Sequence, residues 1–245
     1  MSNRLLDRQV RLLEYLSSAG ILFGEEADMP ADPALQGIDR ALLRLEARSA
    51  CNRRIEKVLA LFPRTFDFLG SDRKLILREF IEVSQPTTMN SIANGRQFSE
   101  FLVARWHLKP PTPAYLPDVA ACELAIAEVR NVADEKLQPM GNTCDGPKRN
   151  IRRRRTAVPQ RCYYDIRSIF DIGFGGLDPP KRETRLVVTL PVGFCNPQIL
   201  EVSPTVFDLL TLLDDWTDPN TLGTINNLEN LLGDLSAQAF IEVES

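Results

Sequence analysis

The sequence predicts an α+β protein, an N-terminal all-helical domain followed by a small winged-helix-like domain of three strands and three helices. Three observations carry that expectation. Apolar residues recur at helical spacing up to about residue 134. From residue 135 to 160 the periodicity gives way to Pro, Gly and a run of arginines. Short alternating runs bounded by turn residues appear only after that. The expected organisation is a helical domain over 1–134, a basic linker over 135–160 and a winged-helix-like domain over 161–245. A chain of 245 residues is long enough for two modest cores.

Leu5, Leu6, Leu12, Leu13 and Leu16 mark one face of a first helix that stops near Gly20. Asp32-Pro33 has the arrangement that opens a second, with Ile38, Leu42, Leu45, Ile55 and Leu59 inward and Arg44, Arg48, Arg53 and Arg54 solvated. Pro63 interrupts it, and Phe62, Phe66, Phe68 and Leu69 form an apolar turn ending at Gly70. Ser71 caps a helix through Leu75, Leu77, Phe80 and Ile81. Further helices run from Asn94 to Trp106 and from Leu116 to Val132.

In the second half, Cys162–Phe170 and Glu183–Pro191 read as strands, the latter with Leu186, Val188 and Leu190 on one side. A turn over Gly193–Pro197 leads to a strand at Gln198–Val202. Ser203-Pro204 caps the next helix, a second helical stretch follows, and Ala239–Val243 alternates as a final strand.

Composition narrows the chemistry. The single histidine, His107, cannot supply a multi-His metal centre, and HExxH, GxSxG, P-loop and GxGxxG signatures are all absent. Five scattered cysteines without CxxC spacing fit reduced thiols. With no apolar run of membrane-spanning length and no signal-peptide core, the expected location is cytoplasmic. The expectation is a non-catalytic chain with no cofactor of its own.

Charge is divided unevenly. Residues 186–245 carry nine Asp and Glu and no Lys or Arg, whereas the run Lys148–Arg155 is strongly basic. A winged helix that reads DNA neutralises phosphates with cations, and Asp218–Phe240 has none to offer. Nucleic acid is therefore disfavoured, and a nucleic-acid-binding regulator is the alternative reading rather than the first. The arginine run reads either as a hydrated linker or as a docking segment for an acidic surface.

Two stretches carry a resemblance. Leu61–Gly70 (LFPRTFDFLG), Phe98–Leu102 (FSEFL) and Leu116–Leu124 (LPDVAACEL) look, in order and spacing, like the pattern FPxxxxLLG … FxxFL … LPxLAxLE. That pattern marks a bacterial family long labelled as DNA-binding and encoded beside a TIM-barrel iron protein. Ile199–Leu213 and Leu235–Val243 resemble the third strand, first helix and last helix of the peptide-recognition elements of ribosomal-peptide pathways. Asp214–Pro219 replaces the usual basic or Gly-containing turn. The combination is similar to partner subunits of multinuclear non-haem iron oxidative enzymes, as in methanobactin and 3-thiaglutamate biosynthesis.

The resemblance implies a heteromeric complex in which the iron belongs to the TIM-barrel enzyme. This chain would hold the leader of a ribosomally made precursor peptide whose cysteine is modified. It places the peptide along Gln198, Ile199, Leu200, Glu201 and Val202, with peptide side chains lodging near Leu228, Leu231, Leu232 and Leu235. For any one of those leucines, plain core packing is the stronger reading. Trp106, His107, Tyr115 and Trp216 are candidates for the enzyme-facing surface because large amphipathic side chains are enriched at interfaces.

Overall fold

The computed structural model describes residue 10 and residues 39–84, 90–135, 150–171, 175–191, 194–222 and 227–244. The chain divides into two compact units, Met1–Pro111 and Thr112–Ser245. The sequence-based boundary at 134 is thus displaced toward the N-terminus. The helix around Leu5–Leu16 and the start at Asp32-Pro33 lie outside the described residues.

In the first unit, Asp39 opens helix α1 (Arg40–Leu61) by accepting from the N–H groups of Ala41 and Leu42 at 2.8 and 3.3 Å. Pro63 ends α1 because it cannot continue the ladder, yet it also occupies the first turn of α2 (Pro63–Leu69). The apolar turn expected there is a helix. Gly70, at φ +50°, takes the left-handed backbone that reverses the chain. Ser71 falls within a 3-10 turn over Gly70–Asp72, before α3 (Arg73–Val83), and is not its cap. Helix α4 (Ser91–Leu108) starts at Asn90, which accepts from Ile92 and Ala93.

Phe98 of α4 is the centre of this unit's core. Its ring lies 5.2 Å from Phe62, 5.4 Å from Phe66 and 5.1 Å from Phe80, in edge-on and offset arrangements. Beside it lies Arg54, which is buried rather than solvated. Its guanidinium donates to Asn94 Oδ1 (3.1 Å), the Ser84 carbonyl (2.5 Å) and Gln97 Oε1 (3.2 Å), and stacks 4.4 Å from the centre of the Phe80 ring. Burial lowers its pKa. One side chain thereby joins α1 to the end of α3 and to α4.

The second unit begins with α5 (Leu116–Glu135), which packs on a sheet. Asp118 fixes it there, its Oδ2 accepting from the N–H groups of Tyr163 and Tyr164 at 2.8 and 2.9 Å. Strands β1 (Ile151–Arg153) and β2 (Ala157–Cys162) come next, inside the region expected to be a linker. Ile151 within the arginine run and Ala157 just after it are buried anchors. The strand expected over Cys162–Phe170 stops at Cys162, because the next two N–H groups go to Asp118. A short helix α6 (Arg167–Phe170) follows, with Ile166 and Ile169 buried.

Strands β3 (Thr184–Thr189) and β4 (Gln198–Glu201) complete an antiparallel sheet of order β2-β3-β4. Helix α7 (Pro204–Leu212) is capped by Ser203 as expected. After a 3-10 turn at Pro219–Thr221 come α8 (Leu228–Ala237) and β5 (Ile241–Val243). β5 pairs with β1 in a separate two-stranded sheet. Val187 packs with Leu209, Leu210, Leu213, Leu235 and Phe240 on one face of the three-stranded sheet. Leu186 and Val188 point to the face that α5 covers.

Replacing Arg54 with Ala removes three charge-assisted hydrogen bonds and leaves their acceptors inside. The expected loss is about 3 kcal/mol in urea unfolding of the full chain, with little recovery in Arg54→Lys, whose ammonium cannot match the fork.

Candidate functional site

β4 is the outer strand of its sheet. The bond from Val202 N to the Arg185 carbonyl (2.9 Å) fixes the phase of the ladder with β3. Residues 198, 200 and 202 therefore turn their backbone groups toward β3. Those of Ile199 and Glu201 turn outward, with no backbone partner among the described residues. The side chains alternate across the two faces of the sheet.

On one face, Leu200 is 37% exposed and lines a cleft of about 470 Å³ together with Thr189, Pro191, Ala237, Gln238, Ala239 and Phe240. The wall opposite Leu200 is built where α8 ends. Ala239 takes a left-handed backbone (φ +59°), which turns the chain so that Phe240 is buried. Thr189 contributes a buried hydroxyl with no hydrogen-bond partner among the described residues. The lining carries no charge, contrary to the acidic cleft that the composition of residues 186–245 suggests.

On the other face, Ile199 lines a second cleft of about 450 Å³ with Asp165, Arg167, Ser168, Asp171 and Pro180. Four charged side chains brace it. Arg167 donates through Nε and Nη2 to the two oxygens of Asp165, each at 2.8 Å, and its Nη2 is also 2.8 Å from Glu201. Arg182 donates to Glu201 at 2.7 and 3.0 Å and to Asp165 at 2.6 Å. The bonds from Arg167, then those from Arg182, hold the Asp165 carboxyl well below the usual carboxylate range, against the opposing effect of burial. Glu201 is lowered too, chiefly by Arg182. The network ties β4 to α6 and to the segment that enters β3.

The residues expected to hold a peptide thus divide. Gln198, Ile199, Leu200 and Glu201 form the open strand, while Val202 packs against the core. Leu228, Leu231 and Leu232 are half-buried against that same core and do not line the Leu200 cleft, and Leu235 is fully inside. The residues that do wall the cleft, Ala237 to Phe240, carry no chemical signature in the sequence. Their place follows from where α8 stops.

Of the interface candidates, Trp106 and Tyr115 are each only 6% exposed. Tyr115 donates to Asp178 at 3.1 Å, and burial with that bond pushes its phenol up to about 12. His107 is exposed. Trp216 is partly covered by the Arg152 guanidinium, 4.3 Å from its ring centre. Among the described residues no group of three or more His, Cys, Asp and Glu is arranged to hold a metal. No described helix is long and apolar enough to cross a membrane. Comparison with protein-family models and with curated proteins finds no match.

The depressed Asp165 pKa has a definite sign for stability. Its contribution is complete above about pH 4, the unfolded carboxylate value, and is lost as pH falls through the lower folded value. Asp165→Asn should flatten that part of the acid limb in denaturant titrations at stepped pH. An unchanged limb would mean the network does not stabilise the fold.

Proposed function

We propose that this chain is a non-catalytic, cytoplasmic partner subunit that captures the leader of a ribosomally made precursor peptide. It presents the peptide's cysteine to an iron-dependent oxidative TIM-barrel enzyme in a heteromeric complex. The observation that carries the reading is the outward-facing backbone of Ile199 and Glu201 on β4, bordered by an uncharged cleft. An extended peptide adding to such an edge gains main-chain hydrogen bonds, and its alternate side chains gain a pocket. Binding energy of this kind needs neither a cofactor nor a titrating side chain in the chain itself. Assigning the iron to the partner accords with a lone, exposed His107.

The α8 segment favours a polypeptide over nucleic acid. Its exposed positions include Glu229 and Asp234, which repel a phosphate backbone. The basic side chains of the second unit that approach its acids are paired, Arg152 with Glu242 and Arg153 with Asp214. Fewer cations remain for phosphate than the run 148–155 implies.

Two substitutions test the edge. Ile199→Pro removes an outward N–H without breaking a bond to β3, so the fold should persist while binding of the precursor leader weakens at least tenfold. Leu200→Arg puts a charge at the mouth of the cleft and should abolish binding with an unchanged thermal melt. Calorimetry with the leader peptide encoded beside the enzyme reads both. Wild-type affinity in the two variants would refute the edge as the capture site.

A further inference from the structure

The β4 edge lies between two clefts of different chemistry, one on each face of the sheet. Leu200 looks into the uncharged cleft walled by Phe240. Ile199, one residue earlier, looks into the cleft that contains Asp165, Arg167 and Asp171. A strand added to this edge would run about 4.8 Å from β4, and each of its residues would share a face with the β4 residue opposite. Successive side chains of the occupant would therefore enter the two clefts in turn.

The charge of the second cleft decides what it accepts. Arg167 and Arg182 spend their forks on Asp165 and Glu201, so these four charges cancel. Asp171 remains, exposed and without an ion-pair partner among the described residues. Its carboxylate gives the cleft a net negative charge, and Ser168 adds a hydroxyl. An acidic side chain would meet repulsion there, whereas Lys or Arg could lay its stem on Ile199 and its cation at Asp171.

We propose that the occupant is an extended segment of alternating apolar and basic residues, the apolar ones entering the Leu200–Phe240 cleft and the basic ones reaching Asp171. The inference rests on the peptide-capture reading of β4 and adds to it a period-two code that a neutral leader would not satisfy.

A library of random dodecapeptides displayed on phage, selected against the immobilised full chain, tests the code without knowledge of the natural peptide. Selected peptides are then synthesised and titrated against wild type, Leu200→Arg, Asp171→Asn and Asp171→Lys. The expected result is enrichment of apolar residues alternating with Lys or Arg. Those peptides should lose binding in Leu200→Arg, and should weaken about threefold in Asp171→Asn and about tenfold in Asp171→Lys. Peptides that depend on Leu200 but show no basic preference, or bind Asp171→Lys as well as wild type, would overturn the code and leave capture standing. Failure to enrich any peptide that distinguishes wild type from Leu200→Arg would overturn both. Asp171 is exposed and outside the core, so matched thermal melts separate loss of recognition from loss of fold.

Discussion

The second unit depends on the pairing of its first strand with its last. Ile151, Arg152 and Arg153 lie opposite Val243, Glu242 and Ile241, about ninety residues later in the chain. Glu242 is 7% exposed, and Arg152 supplies the cation that makes its burial tolerable. Arg153 spans further, donating to the Leu210 carbonyl (3.0 Å), the Ala157 carbonyl (2.6 Å) and the Asp214 carboxylate. These contacts set where β5 runs and hence where α8 must end. The Phe240 wall of the uncharged cleft follows from them, and so does the width of the space beside Leu200.

What the sequence made legible was set by local signals. Ser203-Pro204, the alternation through Leu186 and Val188, and the apolar faces of α3 and α4 each encode their element within a few residues, and each is found. Elements that rely on distant partners were hidden. Nothing near Ile151 marks a strand, because its partner is Val243 and its flanking arginines read as a hydrated run. Tyr163 and Tyr164 alternate well enough for a strand, yet Asp118, forty-five residues earlier, takes their N–H groups. The candidate site was legible to the same degree. Gln198–Glu201 could be read as a strand from its own residues, and as a peptide edge only through the resemblance, whereas Ala237–Ala239 have unremarkable side chains and matter only through position.

The charge asymmetry changes meaning once the strands are placed. Read linearly, a basic run precedes an acidic module, and the acidic module calls for a neutral or basic ligand. In three dimensions Arg152 and Arg153 neutralise Glu242 and Asp214, while Arg167 and Arg182 neutralise Asp165 and Glu201. Three of the nine acids of residues 186–245, Glu201, Asp214 and Glu242, are thus paired with arginines of the same unit. Such pairs contribute little stability where they are exposed, so their main effect is on which charges remain to meet a partner. The cleft beside Leu200 is left neutral, and selectivity by charge is confined to the opposite face.

The two edges of the three-stranded sheet are treated differently, and that difference bears on function. The bond from Leu190 N to the Thr156 carbonyl (3.2 Å) sets the phase on the β2 side, so Ala157, Pro159 and Arg161 face outward there. Ala157 N–H is already bonded to the Arg154 carbonyl at 3.0 Å, and its own carbonyl accepts from Arg153. Pro159 has no N–H to offer, and it sits where the missing donor costs no ladder bond. Arg161 adds an exposed charge paired with Glu183 at 2.9 Å. These are the devices by which proteins blunt an edge against adventitious strand pairing. β4 has none of them at Ile199, and at Glu201 the charge is drawn aside by Arg182. An exposed edge is an aggregation hazard that a neighbouring strand of the same sheet has been built to avoid. Of the two edges of this sheet, it is retained at β4, as the proposed capture of an extended chain requires.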